Sequence, residues 1–353
     1  MVSARAQGAM TAAPTRPEQV PGDASWLAHR YDPVGDKVHF VHTPRDAHRG
    51  ATFLTDEFLA NANAPFVMDR ETARHAAAKA APIHFIFHSA YCCSTLLARA
   101  FDIEGVSMGL KEPVILNDLS GWKHRGGSPA QIARVLDTSL NLLARPFDEG
   151  EAIIVKPSNL INAFGPAMLA MRPDAHALLL YAPLRVYLGS IAKKGMWGRL
   201  WVRELFVKLA RDGLVDYGFS PEEVLRQTDL QIAAIGWLAQ HRLFDRLART
   251  YGPSRVRTLN SETLLARPAE SVAALSQLFG LTLDEAAITS IVAGDSFTRH
   301  SKGGEDFSRD DRIAAQRDAA IVHAEEVDKV LQWAEAVAAS ADQSLDLPAP
   351  LLD

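Results

Sequence analysis

Residues 83–102, IHFIFHSAYCCSTLLARAFD, set the fold class of this chain. A short apolar run, Ile83 to Phe87, stops at His88 and Ser89. A tight segment follows, and from Ser94-Thr95 the spacing becomes that of an amphipathic helix. Strand, loop and helix in that order turn backbone N–H groups and a positive dipole end toward a single point, an arrangement that suits phosphate or sulfate. Ser94 and Thr95 would add hydroxyl donors, and Ser94 equally suits a helix cap. The loop has no glycine and no Gly-Lys pair, so it is not a Walker A loop of the usual type. On residue chemistry alone, an anion cradle and a plain structural turn both stand.

Around this stretch lies a chain of 353 residues with 48% hydrophobic residues and a formal net charge of −5. That composition supports one large buried core or two modest ones and argues against a general nucleic-acid coat. Cys92 and Cys93 are the only cysteines, and adjacent thiols lack the spacing of a redox pair or of zinc ligands. With no HExxH or CxxC pattern, no metal is expected. The N-terminal residues carry no apolar block of signal-peptide length, and no segment reaches the roughly 20 apolar residues of a membrane span. The expectation is a cytoplasmic protein without a membrane span, whose residues 1–25 form a flexible tail.

From 26 to 80 the pattern is irregular. KVHFVHT (37–43) alternates as a strand does, while TDEFLANA (55–62) and RETARHAAAKAA (70–81) read as helical. Beyond Ile83, short apolar runs recur at 83–87, 152–156, 176–181 and 256–259, separated by longer helical patterns. Strands that are apolar throughout and alternate with helices predict a mainly parallel sheet covered on both faces. The expected architecture is a three-layer α/β fold, a single domain over 26–345 with a helical insertion at about 196–250.

Ligands of open α/β sheets gather at the carboxyl ends of the strands. Besides the loop after Phe87, four residues stand there. Lys156 closes AIIVK and would neutralise a transferred or leaving anionic group, or simply be solvated. Glu112, following a short strand around VSM (106–108), has the position of a general base. Arg185 and Ser190 lie on a helix that reads equally well as a surface helix with a cationic end.

The order and spacing of these segments resemble the sulfotransferases that use 3′-phosphoadenosine-5′-phosphosulfate, in particular their bacterial and tyrosylprotein-type branches. The family's loop, roughly P-[RK]-S-G-T-[TS]-L-L, is matched by Ala90-Tyr91-Cys92-Cys93-Ser94-Thr95-Leu96-Leu97. PLRVYLGS (183–190) is similar to the PR-x-x-x-x-S segment that binds the 3′-phosphate. VRTLNSETLLARPAESVAALSQLFGLTLD (256–284) resembles the family's strand, acidic turn, proline, helix and F-L-G-L. FTRHSKGGEDF (297–307) resembles the late basic loop over the nucleotide.

The resemblance implies a P-loop-type fold and transfer of a sulfuryl group from this donor, without metal, to a hydroxyl or amine of a small-molecule or peptide acceptor. It places Tyr91, Cys92, Cys93, Ser94 and Thr95 around the 5′-phosphosulfate, and Arg185, Ser190 and Lys302 on the 3′-phosphate. Lys156 would stand beside the leaving oxygen, with Glu112 as base. Several positions depart from the pattern. Tyr91 stands where the loop carries a cation, Cys93 where it carries glycine, Ala182 where the first arginine of the 3′-phosphate segment is found, and Asn159 near a frequent histidine. Each missing charge-assisted contact weakens donor binding by about 1.5–3 kcal/mol. A catalytically reduced binding protein of the same fold, and a P-loop kinase-like enzyme, are the alternatives.

Overall fold

The computed structural model describes residues 16–59, 64–298 and 309–352. Its centre is a sheet of five strands: β4 (Ile83–His88), β5 (Ser107–Lys111), β6 (Ala152–Lys156), β7 (Ala177–Tyr181) and β8 (Val256–Asn260). They lie in the order β5-β6-β4-β7-β8, and every neighbouring pair is parallel. β4 and β6 are buried at every residue, which explains their predominantly apolar character. Alternate residues serve opposite faces. Phe85, Phe87, Ile153, Val155 and Leu179 enter one core, and Ile86, Ile154, Leu178 and Leu180 the other. The expected three-layer α/β arrangement is therefore present.

After β4 the chain builds β5 and β6 on one side, then crosses β4 to build β7 and β8 on the other. Such a reversal opens a crevice at the carboxyl end of the strand where it occurs, here β4. The helix Ser94–Ala100 returns directly over β5. Gly109 makes this possible, because a Cβ there would overlap the Ala98 carbonyl.

Between β7 and β8 the chain forms, among others, helices Gly195–Arg211, Pro221–Arg226 and Asp229–Tyr251. Thr228 and Gln231 form a capping box that starts the last of these, and Gly252, at φ +72°, ends it.

The first eighty residues differ most from expectation. An antiparallel sheet β1-β2-β3 (Trp26–Asp32, Lys37–His42, Phe66–Asp69) replaces the single strand read there. Its formation rests on pairing with β2 rather than on the patterns of β1 and β3 themselves. Residues 55–59 make turns instead of a helix, and the helix from Arg70 ends at Ala76. Residues 17–22, placed by the sequence in a flexible tail, form a 3₁₀ helix with Val20 buried. Arg145, itself buried, donates to the carbonyls of Val20, Asp23 and Trp26 and ties this segment to the domain.

Candidate functional site

Between β4 and the helix Ser94–Ala100 the backbone turns through three left-handed residues that are not glycine: Ala90 (φ +72°), Tyr91 (φ +53°) and Cys93 (φ +64°). Each such residue costs on the order of 1 kcal/mol, and clustered strain of this kind is concentrated at functional loops. Turns of this sort gather N–H groups on one side, as in backbone anion nests. The left-handed Cys93 occupies the position where the resembling loops carry glycine.

His88 fixes the entry to the loop. Its Nδ1 accepts from the Ala90 N–H at 3.1 Å, and its Nε2 donates to the Pro157 carbonyl at 3.0 Å. Those two bonds require the neutral imidazole with the proton on Nε2. Asn162 holds the same place from below, donating to the His88 carbonyl and to Gln240.

Lys156 and Lys111 are register partners at the ends of β6 and β5. Lys111 turns away, donating to the carbonyls of His48 and Arg49. Burial pushes its pKa down to about 8. Lys156, 1% exposed, donates to the carboxylate of Glu112 and lies 5.1 Å over the Phe53 ring. Glu112 is itself left-handed, at φ +54°, and its N–H continues the ladder to the Lys156 carbonyl. The same carboxylate oxygen is 4.0 Å from His88 Nε2. Glu112, Lys156 and the loop after β4 thus meet at three neighbouring strand ends.

Other candidates are placed differently. Tyr91 is half-buried, with its ring edge-on to Tyr187 and Trp201 at 5.9 and 5.4 Å, and burial pushes its hydroxyl up to about 12. Burial likewise raises the Cys92 thiol to about 11, so it stays protonated and unreactive at neutral pH. Ser94 and Thr95 are buried at the start of their helix. Arg185 is exposed and pairs with Asp328 at 2.6 Å, and the Ser190 hydroxyl donates to the Val186 carbonyl. Among the described residues neither bonds to the loop. Ala182 is completely buried, its N–H donating to Ser89 Oγ and its carbonyl accepting from Trp237 Nε1. Asn159 donates to Gln240. Lys302 lies outside the described residues, although the short helix Asp295–Thr298 just before that segment packs against Ser94–Ala100.

Sequence reading missed Phe53, Asn162 and Gln240. Nothing in their local patterns marks them, since each enters the site from a distant element. Among the described residues no cluster of His, Cys, Asp and Glu could hold a metal ion, and no helix is long and apolar enough to cross a membrane.

No protein-family model and no curated protein sequence matches the chain. Among solved structures it is similar to the sulfotransferase domain of a Synechococcus olefin synthase, at 18% identity and a TM-score of 0.37, over 65% of this chain and 82% of that one. The sulfotransferase domain from the curacin biosynthetic pathway matches at 11% identity and a TM-score of 0.42, over 76% of this chain and 100% of that one. A sulfotransferase from Mycobacterium avium matches at 14% identity and 0.40, over 71% and 77%.

Proposed function

We propose that this protein is a sulfotransferase that moves a sulfuryl group from 3′-phosphoadenosine-5′-phosphosulfate to a hydroxyl or amine. One observation carries the reading. Lys156 and Glu112, suited to opposite halves of one transfer, are bonded side by side at adjacent strand ends beside a strained, anion-type loop. Backbone N–H groups of Cys92 to Thr95, with the hydroxyls of Ser94 and Thr95, hold the phosphosulfate. Glu112 releases Lys156 and takes the proton of the acceptor as its oxygen or nitrogen attacks sulfur in line. Lys156 turns to the bridging oxygen, which gains negative charge as its bond to sulfur breaks. Arg185, Ser190 and Lys302 are assigned to the 3′-phosphate, with Arg185 exchanging Asp328 for it. The loop's Tyr91, packed on Tyr187 and Trp201, puts aromatic surface beside the phosphosulfate and helps exclude water from the transfer.

A second reading, a protein of this fold that binds the nucleotide without transfer, is favoured by Tyr91. A phenol packed on two rings stands where the resembling loops present a cation. Calorimetric titration with 3′-phosphoadenosine 5′-phosphate, ATP and ADP tests both. Selective binding of the bisphosphate is expected, and a preference for ATP overturns both readings in favour of a kinase-like enzyme. Sulfuryl transfer from labelled donor that is lost in Glu112→Gln and Lys156→Ala selects the first reading. Bisphosphate binding with no transfer to any acceptor selects the second.

A further inference from the structure

The helix Gly195–Arg211 is apolar on two sides. Its inner side, Gly198, Val202, Leu205 and Leu209, is buried and packs on the helices Leu184–Lys193 and Asp229–Tyr251. The outward side of such a helix is normally polar. Here it carries Met196, Trp197, Leu200 and Val207, which are 72%, 61%, 56% and 48% exposed. These are four of the few large apolar residues exposed on the described surface, and they share one helix.

The rim of this face is basic. Lys193, Lys194 and Arg211 are exposed and Lys208 is half-buried, and among the described residues none of the four has an acidic partner. The Lys194 ammonium lies 5.9 Å over the Trp197 ring. The two arginines of the helix that are paired, Arg199 and Arg203, turn to Asp229 and Glu326 instead. Glu204 is the only acid in the helix. This concentration of positive charge stands out in a chain whose net charge is −5.

Charge decides what covers the face. A second copy docked through the same patch about a two-fold axis would set these cations against one another. The convex side of a helix, with a tryptophan and long aliphatic side chains between lysines, has instead the composition of a helix lying in a membrane interface. We propose that this face seats the protein peripherally on an anionic lipid bilayer. Met196, Trp197 and Leu200 enter the headgroup boundary, and Lys193, Lys194, Lys208 and Arg211 meet lipid phosphates. Trp201, on the flank of the same helix, is edge-on to Tyr91 and connects the helix to the loop after β4. The proposal is independent of the sulfuryl-transfer reading.

Sedimentation of the full chain with vesicles tests it, using phosphatidylcholine alone and phosphatidylcholine mixed with phosphatidylglycerol. The protein is expected to sediment with the mixed vesicles, to be released by added salt, and to show a blue-shifted tryptophan emission when bound. Leu200→Glu and Met196→Glu are expected to abolish binding with an unchanged melting temperature, both side chains being exposed. Lys193→Glu and Lys194→Glu are each expected to weaken binding about fivefold. No sedimentation with mixed vesicles, or full sedimentation of Leu200→Glu, overturns the proposal. Equal binding to phosphatidylcholine alone overturns it too. Self-association that Leu200→Glu abolishes, without vesicle binding, assigns the face to a second copy and overturns it as well.

Discussion

The ammonium of Lys156, enclosed at the end of β6, is bonded to the carboxylate of Glu112 at the end of β5. An enclosed cation with one acidic partner makes each member strongly dependent on the other. Removing one partner of such a pair leaves a charge in low dielectric, at a cost of about 3–5 kcal/mol. Lys156→Met and Glu112→Gln are each expected to lower stability by about 3 kcal/mol, with the double variant recovering most of the loss. Urea unfolding of all four proteins measures this coupling. Additive losses in the double variant would show that the pair does not act as a unit.

The left-handed Cys93 makes a backbone prediction. Glycine relieves the strain at φ +64° but loosens the unfolded chain, so Cys93→Gly is expected to change stability by less than about 1 kcal/mol. Cys93→Val, β-branched, is expected to destabilise by about 2 kcal/mol and to weaken bisphosphate binding. A valine variant as stable as the parent would rule out a left-handed residue here.

Gly109→Ala forces the helix Ser94–Ala100 away from β5. The expected loss is about 1–3 kcal/mol, accompanied by weaker bisphosphate binding because the loop moves with its helix. Unchanged affinity in a destabilised variant would separate the helix position from the site.

Acid stability should reflect buried histidines. His48 is buried, and neither ring nitrogen has a hydrogen-bond partner among the described residues. Burial, then the charges of Lys111 and Arg145, push its pKa down to about 3. His84 and His241 are pushed down to about 4, chiefly by burial. Near pH 7 these rings are neutral in both states. As pH falls below about 6.5, the unfolded chain binds protons that the folded chain refuses, so stability falls through the window down to pH 4 and then 3. His48→Leu is expected to be more stable than the parent at pH 7, and to remove on the order of 3 kcal/mol of the loss seen by pH 4.5. Urea titrations at both pH values check this, and parallel slopes for the two proteins would refute it.

Arg185 and Asp328 form an exposed pair of the kind worth about 0–1 kcal/mol. Asp328→Asn is expected to leave the melting temperature nearly unchanged. On the proposed function it tightens bisphosphate binding, since Arg185 no longer has to leave a partner. Unaltered affinity by calorimetry would remove Arg185 from the nucleotide site.

Much of the central sheet is written locally. β4, β6 and β7 are runs of apolar residues because both faces of each strand are covered, and that condition leaves a continuous signature in the chain. The interruption after His88, with hydroxyls at Ser94-Thr95, is equally local, so the loop's position was readable before its shape. The N-terminal sheet was not, because β1 mixes polar and apolar residues, β3 is only four residues long, and both exist through their antiparallel partner β2. Nor was the turn over 55–59, whose residues favour a helix only in isolation.

Sequence by itself thus determined the α/β class, the places of the central-sheet strands and the candidates Lys156 and Glu112. Only the tertiary structure decided that those two, 44 residues apart, are bonded to each other. That contact depends on the register of β5 on β6, a property of two paired strands that neither carries alone. The left-handed backbone at Ala90, Tyr91 and Cys93 was likewise a tertiary outcome. No glycine announces it, and the conformation is held by the Ala90 N–H bond to His88 Nδ1 and by packing of Tyr91 on Tyr187 and Trp201.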